Sequence, residues 1–83
     1  MKIKCPVKYY GIISDIVDMD ADIAEFNGDI PTLNDLRVTL EDAFPDMKEV
    51  NYLFAVNQTL VSDMALVLKN NDEIALLPAF SGG

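Results

Sequence analysis

The chain ends in Ser81-Gly82-Gly83, and these residues offer the most specific chemistry in the sequence. Glycine has no Cβ, so a Gly-Gly tail can pass through a channel too narrow for side chains and present its carboxylate inside another protein's active site. The Gly83 carboxylate would then be the reacting group itself. A frayed terminus is the bland alternative, but here the glycines directly follow the apolar run Glu73 to Phe80. Other candidates are weaker. Asp18-x-Asp20-x-Asp22, with Asp15 nearby, begins like a calcium loop, which needs Gly at its sixth position and Glu at its twelfth. Ile23 and Asp29 stand there instead. A solvated acidic loop is the better reading, and no metal site is expected. Cys5 shares the parity of Ile3 and Val7 and reads as a small core residue. Tyr9 and Tyr10 read as packing residues, and the stripe Leu33, Leu36, Leu40, Phe44 as core.

Absences narrow the chemistry further. With no His there is no His-based general base or Ser-His relay, and no glycine-rich phosphate loop is present. So short a chain has little room for the concave pocket of about 300 Å³ or more that small-molecule chemistry usually occupies. Catalysis by this chain alone, and a bound cofactor, are not expected. One Cys and no His exclude an internal disulfide and a zinc site.

The 83 residues suffice for one domain. A hydrophobic fraction of 51% with only 4 Gly and 4 Pro argues for a folded core rather than disorder. Six Lys and Arg against 14 Asp and Glu give a formal net charge of −8. That balance disfavours nucleic acid and anionic membranes as partners and suits a basic protein partner. Lys8 interrupts the apolar residues of the start, so it does not read as a secretory signal, and no stretch approaches a membrane span of roughly 20 residues. A reducing cytoplasm is the expected setting.

The elements that must position the tail are legible. Met1 to Tyr9 alternates, with Met1, Ile3, Cys5, Val7 and Tyr9 on one face and Lys2, Lys4 and Lys8 on the other, which predicts a half-buried strand. Pro6 lies on the solvent parity and predicts an exposed or bulged stretch. Gly11 to Asp20 reads as a short helix or turn, and Ala21 to Phe26 as a second strand ending at the Asn27-Gly28 turn. Leu33, Leu36, Leu40, Ala43, Phe44 and Met47 recur at helical spacing. Thr32 and Asp35 form a capping-box start for that helix, and Pro45 is its terminator. Asn51 to Val56 and Thr59 to Val61 flank Asn57-Gln58 as a hairpin. Asp63 to Leu68 suggests a helical turn, and Asn70-Asn71-Asp72 a second turn. Glu73 to Phe80 is a last strand whose apolar residues on both parities place it centrally. The sum is an α+β layer sandwich.

The string Asn71-Asp72-Glu73-Ile74-Ala75-Leu76-Leu77-Pro78-Ala79-Phe80-Ser81-Gly82-Gly83 resembles the end of the MoaD family, within the wider group of MoaD and ThiS sulfur carriers. There a turn, Asp-Glu, an apolar strand, Pro and Ser-Gly-Gly follow in that order. Ala55-Val56-Asn57 resembles that family's hairpin strand, and Thr32-Leu33-Asn34-Asp35-Leu36 with Phe44-Pro45 its main helix. Three positions depart from the pattern. Asn71 stands where a Gly is common, Pro78-Ala79-Phe80 where Pro-Pro-Val is common, and Ser14-Asp15 where Arg-Glu is common.

The resemblance implies a ubiquitin-like β-grasp fold over residues 1–80, with a mixed sheet of about five strands, one main helix on one face, and residues 81–83 as a flexible tail. It implies the small subunit of a molybdopterin synthase, which donates sulfur without being catalytic alone. Gly83 would be adenylated by a ubiquitin-activating-type (MoeB-like) enzyme and converted to a thiocarboxylate. Ser81, Gly82 and Gly83 would thread into a MoaE-like large subunit in a heterotetramer, with Pro78 and Phe80 as anchors. Two other uses remain open: a ThiS-like carrier for the thiamine thiazole, and a ubiquitin-like modifier joined to proteins through Gly83.

Overall fold

The computed structural model describes residues 2–27 and 30–79. The element order is β1 (Lys2–Tyr9), α1 (Ile12–Val17), β2 (Ala21–Asn27), α2 (Leu33–Ala43), a 3-10 helix (Pro45–Glu49), β3 (Tyr52–Val56), β4 (Thr59–Val61) and β5 (Ile74–Pro78). The five strands form one sheet in the order β2-β1-β5-β3-β4. β5 runs parallel to β1, and every other pairing is antiparallel. This is the mixed sheet of the α+β reading, and β5 is central as its sequence predicts.

β1 buries Cys5, Val7 and Tyr9 on alternate positions, against α2 and α1. Leu33, Leu36 and Leu40 of α2, Ile13 and Val17 of α1, Met47, Phe54, Leu68, Ile74 and Leu76 complete the core. Cys5 is fully buried and its Sγ donates to the Lys69 carbonyl at 3.3 Å. Burial, then the charge of Asp72, pushes its thiol pKa up, consistent with a packing role. Tyr9 packs as expected, whereas Tyr10 is 44% exposed and belongs to the surface. Chain reversal explains the difference, because Tyr10 follows the last residue of β1 and precedes Gly11.

Pro6 is exposed, as its parity predicts, and of the two alternatives the bulge does not occur, since the β1–β2 register runs without a break from Lys2↔Asn27 to Lys8↔Ala21. The main-chain groups of Lys4 point away from β2, to Asn70 and Asn71, and by the strand's two-residue alternation so does the nitrogen of Pro6. The missing donor therefore falls outside the β1–β2 ladder. Residues 63–68 hold a single hydrogen-bonded turn, Leu66 N–H donating to the Asp63 carbonyl at 3.1 Å, that does not continue into a helix. Met64 and Leu66 accept hydrogen bonds from Asn34 and Leu33 at 2.9 Å each, and Val67 bridges to Thr32. This segment satisfies orphan donors at the start of α2, while Thr32 and Asp35 supply the predicted capping box.

At the β3–β4 turn, Asn57 and Gln58 both have positive φ, 51° and 70°, as a two-residue I′ hairpin requires. Asn suits this geometry, and Gln does not. Gln58→Gly should therefore raise stability by about 0.5–1 kcal/mol, read as a higher urea midpoint at unchanged slope; an equal or lower midpoint would contradict the strain.

Tyr52 is half-buried and its hydroxyl donates to Glu41 Oε2 at 2.6 Å. Burial first, then the hydrogen bond to Glu41 and its negative charge, push the phenol well above its ordinary value of 10.0. Tyr9 is raised in the same direction by burial and by Asp22. A raised folded value means the stabilisation is complete below the unfolded pKa of about 10 and is lost as pH rises beyond it. Denaturant midpoints should hold between about pH 7 and 8 and fall steeply above about pH 10. Tyr52→Phe should lower the midpoint at neutral pH and flatten the alkaline fall; an equally steep fall in the variant would remove Tyr52 from its cause.

Candidate functional site

The site grows from the end of β5. Pro78 is the last residue of that strand and pairs with Tyr52, and the next amide, Ala79 N–H, donates to the Asn51 carbonyl at 3.0 Å. The chain is thus held by its neighbour strand up to Ala79. Of the residues the sequence nominates, Pro78 lies in this described end. Phe80, Ser81, Gly82 and Gly83 lie outside the described residues.

Pro78 is half-buried and rests over Gly11, which sequence reasoning missed. Gly11 has φ 59° and ψ −135°, a combination that side chains resist. A Cβ built there would come within 2.8 Å of Pro78 Cγ. The turn after β1 is therefore shaped by the root of the tail. A Gly immediately after a predicted strand is the signal that could have marked it. Ser14 and Asp15 sit on α1, which contacts β5. The Ser14 hydroxyl donates to the Gly11 carbonyl at 3.1 Å, and Asp15 is exposed.

Beside the tail root, between α2 and β3, lies an open groove of about 440 Å³ whose lining includes Arg37, Glu41, Val50, Tyr52, Met64 and Ala79. It is larger than the chain's length suggests. Its polar groups engage one another, since Glu41 accepts from Tyr52 and lies 3.6 Å from Arg37, which also donates to Asn34. Its lining has no thiol and no His, and its one carboxylate, Glu41, is already engaged by Tyr52 and Arg37.

The second surface is the sheet face opposite α2. Leu53 and Leu60 are 44% and 62% exposed there, adjoined by Leu77, Ala55 and Ala75 through the register of β3 with β4 and β5. Ile23 is exposed on the same face of β2, opposite Pro6, while Ala24 and Phe26 point to the core. The apolar residues on both parities of β5 thus mark a central strand with one covered face and one open one. A depression of about 160 Å³ lies near the hairpin end, lined by Pro6, Lys8, Tyr10, Gln58, Glu73, Ile74 and Ala75.

Of the acidic candidate, Asp15, Asp18 and Asp20 border one open depression beside α1, where Asp18 caps the helix in left-handed geometry, whereas Asp22 accepts the Ile23 amide at 2.8 Å. Asp29 lies outside the described residues. Among the described residues no group of three His, Cys, Asp or Glu side chains is arranged to hold a metal ion. Nor is any helix among them long and apolar enough to cross a membrane.

Comparison with curated proteins finds no match. Among solved structures the chain is similar to a Pyrococcus furiosus protein described as molybdopterin converting factor, subunit 1, at 20% identity and TM-score 0.84, over 94% of this chain and 99% of that one. It is similar to small archaeal modifier protein 1 of H. volcanii, at 17% identity and TM-score 0.78, over 94% and 99%. The complex of subunits 1 and 2 of the molybdopterin-converting factor of Helicobacter pylori gives 24% identity and TM-score 0.69, over 98% and 100%. At these identities the likeness is one of fold, the ubiquitin-like β-grasp. Residues 7–83 match the ThiS family, a span that runs from within β1 to the terminal glycines, and the chain belongs to that family of MoaD- and ThiS-like domains.

Proposed function

We propose that this chain is the sulfur-carrying small subunit of a molybdopterin synthase, working in the cytoplasm. What supports the reading is the sequence order, in which Ser81-Gly82-Gly83 follow a central strand whose end is held at Ala79, in a domain of this family. A fixed root sets where a short tail can reach, and glycine lets it enter a narrow channel.

In this reading the Gly83 carboxylate attacks the α-phosphorus of ATP on a MoeB-like adenylating enzyme, releasing pyrophosphate. A persulfide sulfur then displaces AMP from the acyl carbon. Cleavage of the remaining sulfur–sulfur bond by a thiol leaves the thiocarboxylate. A carboxylate is a poor electrophile, so the adenylate supplies the leaving group. The tail next enters a MoaE-like large subunit, within a heterotetramer, and gives sulfur to a cyclic pyranopterin monophosphate held there. The open face, continuous with the tail root through Leu77, is the surface that meets each partner, and Phe80, next in sequence after Ala79, is the anchor in this reading.

Likeness to small archaeal modifier protein 1 favours a second use, conjugation of Gly83 to lysines of other proteins. Both uses share the adenylation step. Intact mass of the protein from its native host separates them, because sulfur-for-oxygen replacement at the terminus marks the carrier and a ladder of conjugates marks the modifier.

Deletion of Gly83, or one residue added after it, should abolish thiocarboxylate formation with no change in melting temperature, since neither change touches the described ladders. Sulfur loading of the extended tail at the normal rate would sink the proposal.

Gly11→Ala should cost about 2–3 kcal/mol of folding stability, from backbone strain and from the displacement of Pro78. Because that displacement moves the tail root, loading of the folded fraction should also slow. An unchanged melt would show that the Gly11 geometry is not required.

A further inference from the structure

The charge of this protein is divided by face. Lys2, Lys4 and Lys8 occupy the outward parity of β1, so half of the chain's six cations stand on the open sheet face. Against them this face carries Glu25, 3.4 Å from Lys4, and Glu73 at the rim of the depression. The other described acids sit in the α1–β2 region, on α2 and the segment after it, and in the loops. An overall charge of −8 therefore describes the helix side and not the surface with the exposed leucines.

Lys8 is the cation nearest the centre of that surface. It is exposed, its register partner is Ala75, and it lines the depression with Tyr10, Gln58 and Glu73. Among the described residues it makes no ion pair. Distance decides which charges a docked partner feels. A helix with its side chains is about 10 Å across, and the Debye length at physiological salt is about 8 Å, so acids on the outer side of α2 are largely screened from the opposite face.

Resting on the sulfur-carrier reading above, we propose that the open face docks a protein presenting an apolar patch bordered by carboxylates, with one acidic side chain placed to meet Lys8. The partner is thus locally acidic where it touches the sheet, although this chain is acidic overall. Leu53, Leu60 and Leu77 supply the dry centre, and Lys8 sets the orientation at its edge. Buried apolar contact gives affinity, while the charge at the rim fixes register and rejects mismatched surfaces.

The test uses the full-length chain with the large synthase subunit and with the adenylating enzyme of the same host, each titrated calorimetrically at two salt concentrations. Lys8→Glu should weaken binding at least about tenfold, with Lys8→Gln intermediate and Asp42→Lys on the outer side of α2 within about twofold of the parent. Leu53→Asp should also abolish most binding. Thermal melts confirm that these exposed substitutions leave the fold intact. Tight binding by Lys8→Glu together with a strong response to Asp42→Lys would overturn the proposal. So would unchanged binding by Leu53→Asp, or sedimentation showing that the face is closed in a stable dimer of this chain. Binding by neither protein would end the sulfur-carrier reading and this proposal with it. An inverted charge response in a complex that still transfers sulfur would end this proposal alone.

Discussion

Everything in this structure depends on the parallel pairing of β5 with β1. The strands otherwise form two antiparallel pairs, β1 with β2 and β3 with β4, and an isolated two-stranded pair is marginal in water. β5 joins them by lying between β1 and β3, with Val7↔Ile74, Lys8↔Ala75 and Tyr9↔Leu76 on one side and Tyr52 to Val56 on the other. The pairing closes a loop of more than half the chain, which makes its entropic cost large and its formation late. The same strand holds the root of the tail. Fold completion and placement of the tail root are therefore one event.

Polar side chains set where β5 begins. Asn57 donates to Asp72 and accepts from the Glu73 amide, both at 3.0 Å, and Asp72 accepts from the Lys69 amide at 2.7 Å. Asn70 accepts from Lys4 N–H, and Asn71, with φ 71°, donates its own amide to the Lys4 carbonyl. These bonds tie the β3–β4 turn and β1 to the residues just before Ile74. Asn71 performs the left-handed turn that glycine performs elsewhere. At the opposite end, Gly11 leaves room for Pro78. The strand is thus located at both of its ends, which is what a short tail needs if its reach is to be reproducible.

The sheet also sorts the surface. Alternation sends Cys5, Val7 and Tyr9 inward and Lys4 and Lys8 outward, so a strand can be greasy on one side and cationic on the other. The acids collect where loops and the outer side of α2 meet water. A net charge summed over the chain loses this division, because at physiological salt a contacting partner responds to the charges within about a Debye length.

Much of the fold was legible in the sequence. Period-two alternation identified β1, helical spacing with Thr32 and Asp35 identified α2, and Asn57-Gln58 identified the hairpin, because these signals arise from contacts near in sequence. Apolar residues on both parities placed β5 centrally, and the order of turn, strand, Pro and Ser-Gly-Gly pointed to the family. The tertiary structure alone decided the rest. Tyr10 faces solvent because the chain reverses at Gly11. Pro6 spares the β1–β2 ladder because its nitrogen points away from β2, and residues 63–68 become the partner of α2's first turn rather than a helix. Each outcome is fixed by groups far apart in the chain, Pro78 with Gly11, Lys4 with Asn70, Leu66 with Leu33, and no local pattern records which distant group will satisfy a donor or fill a space.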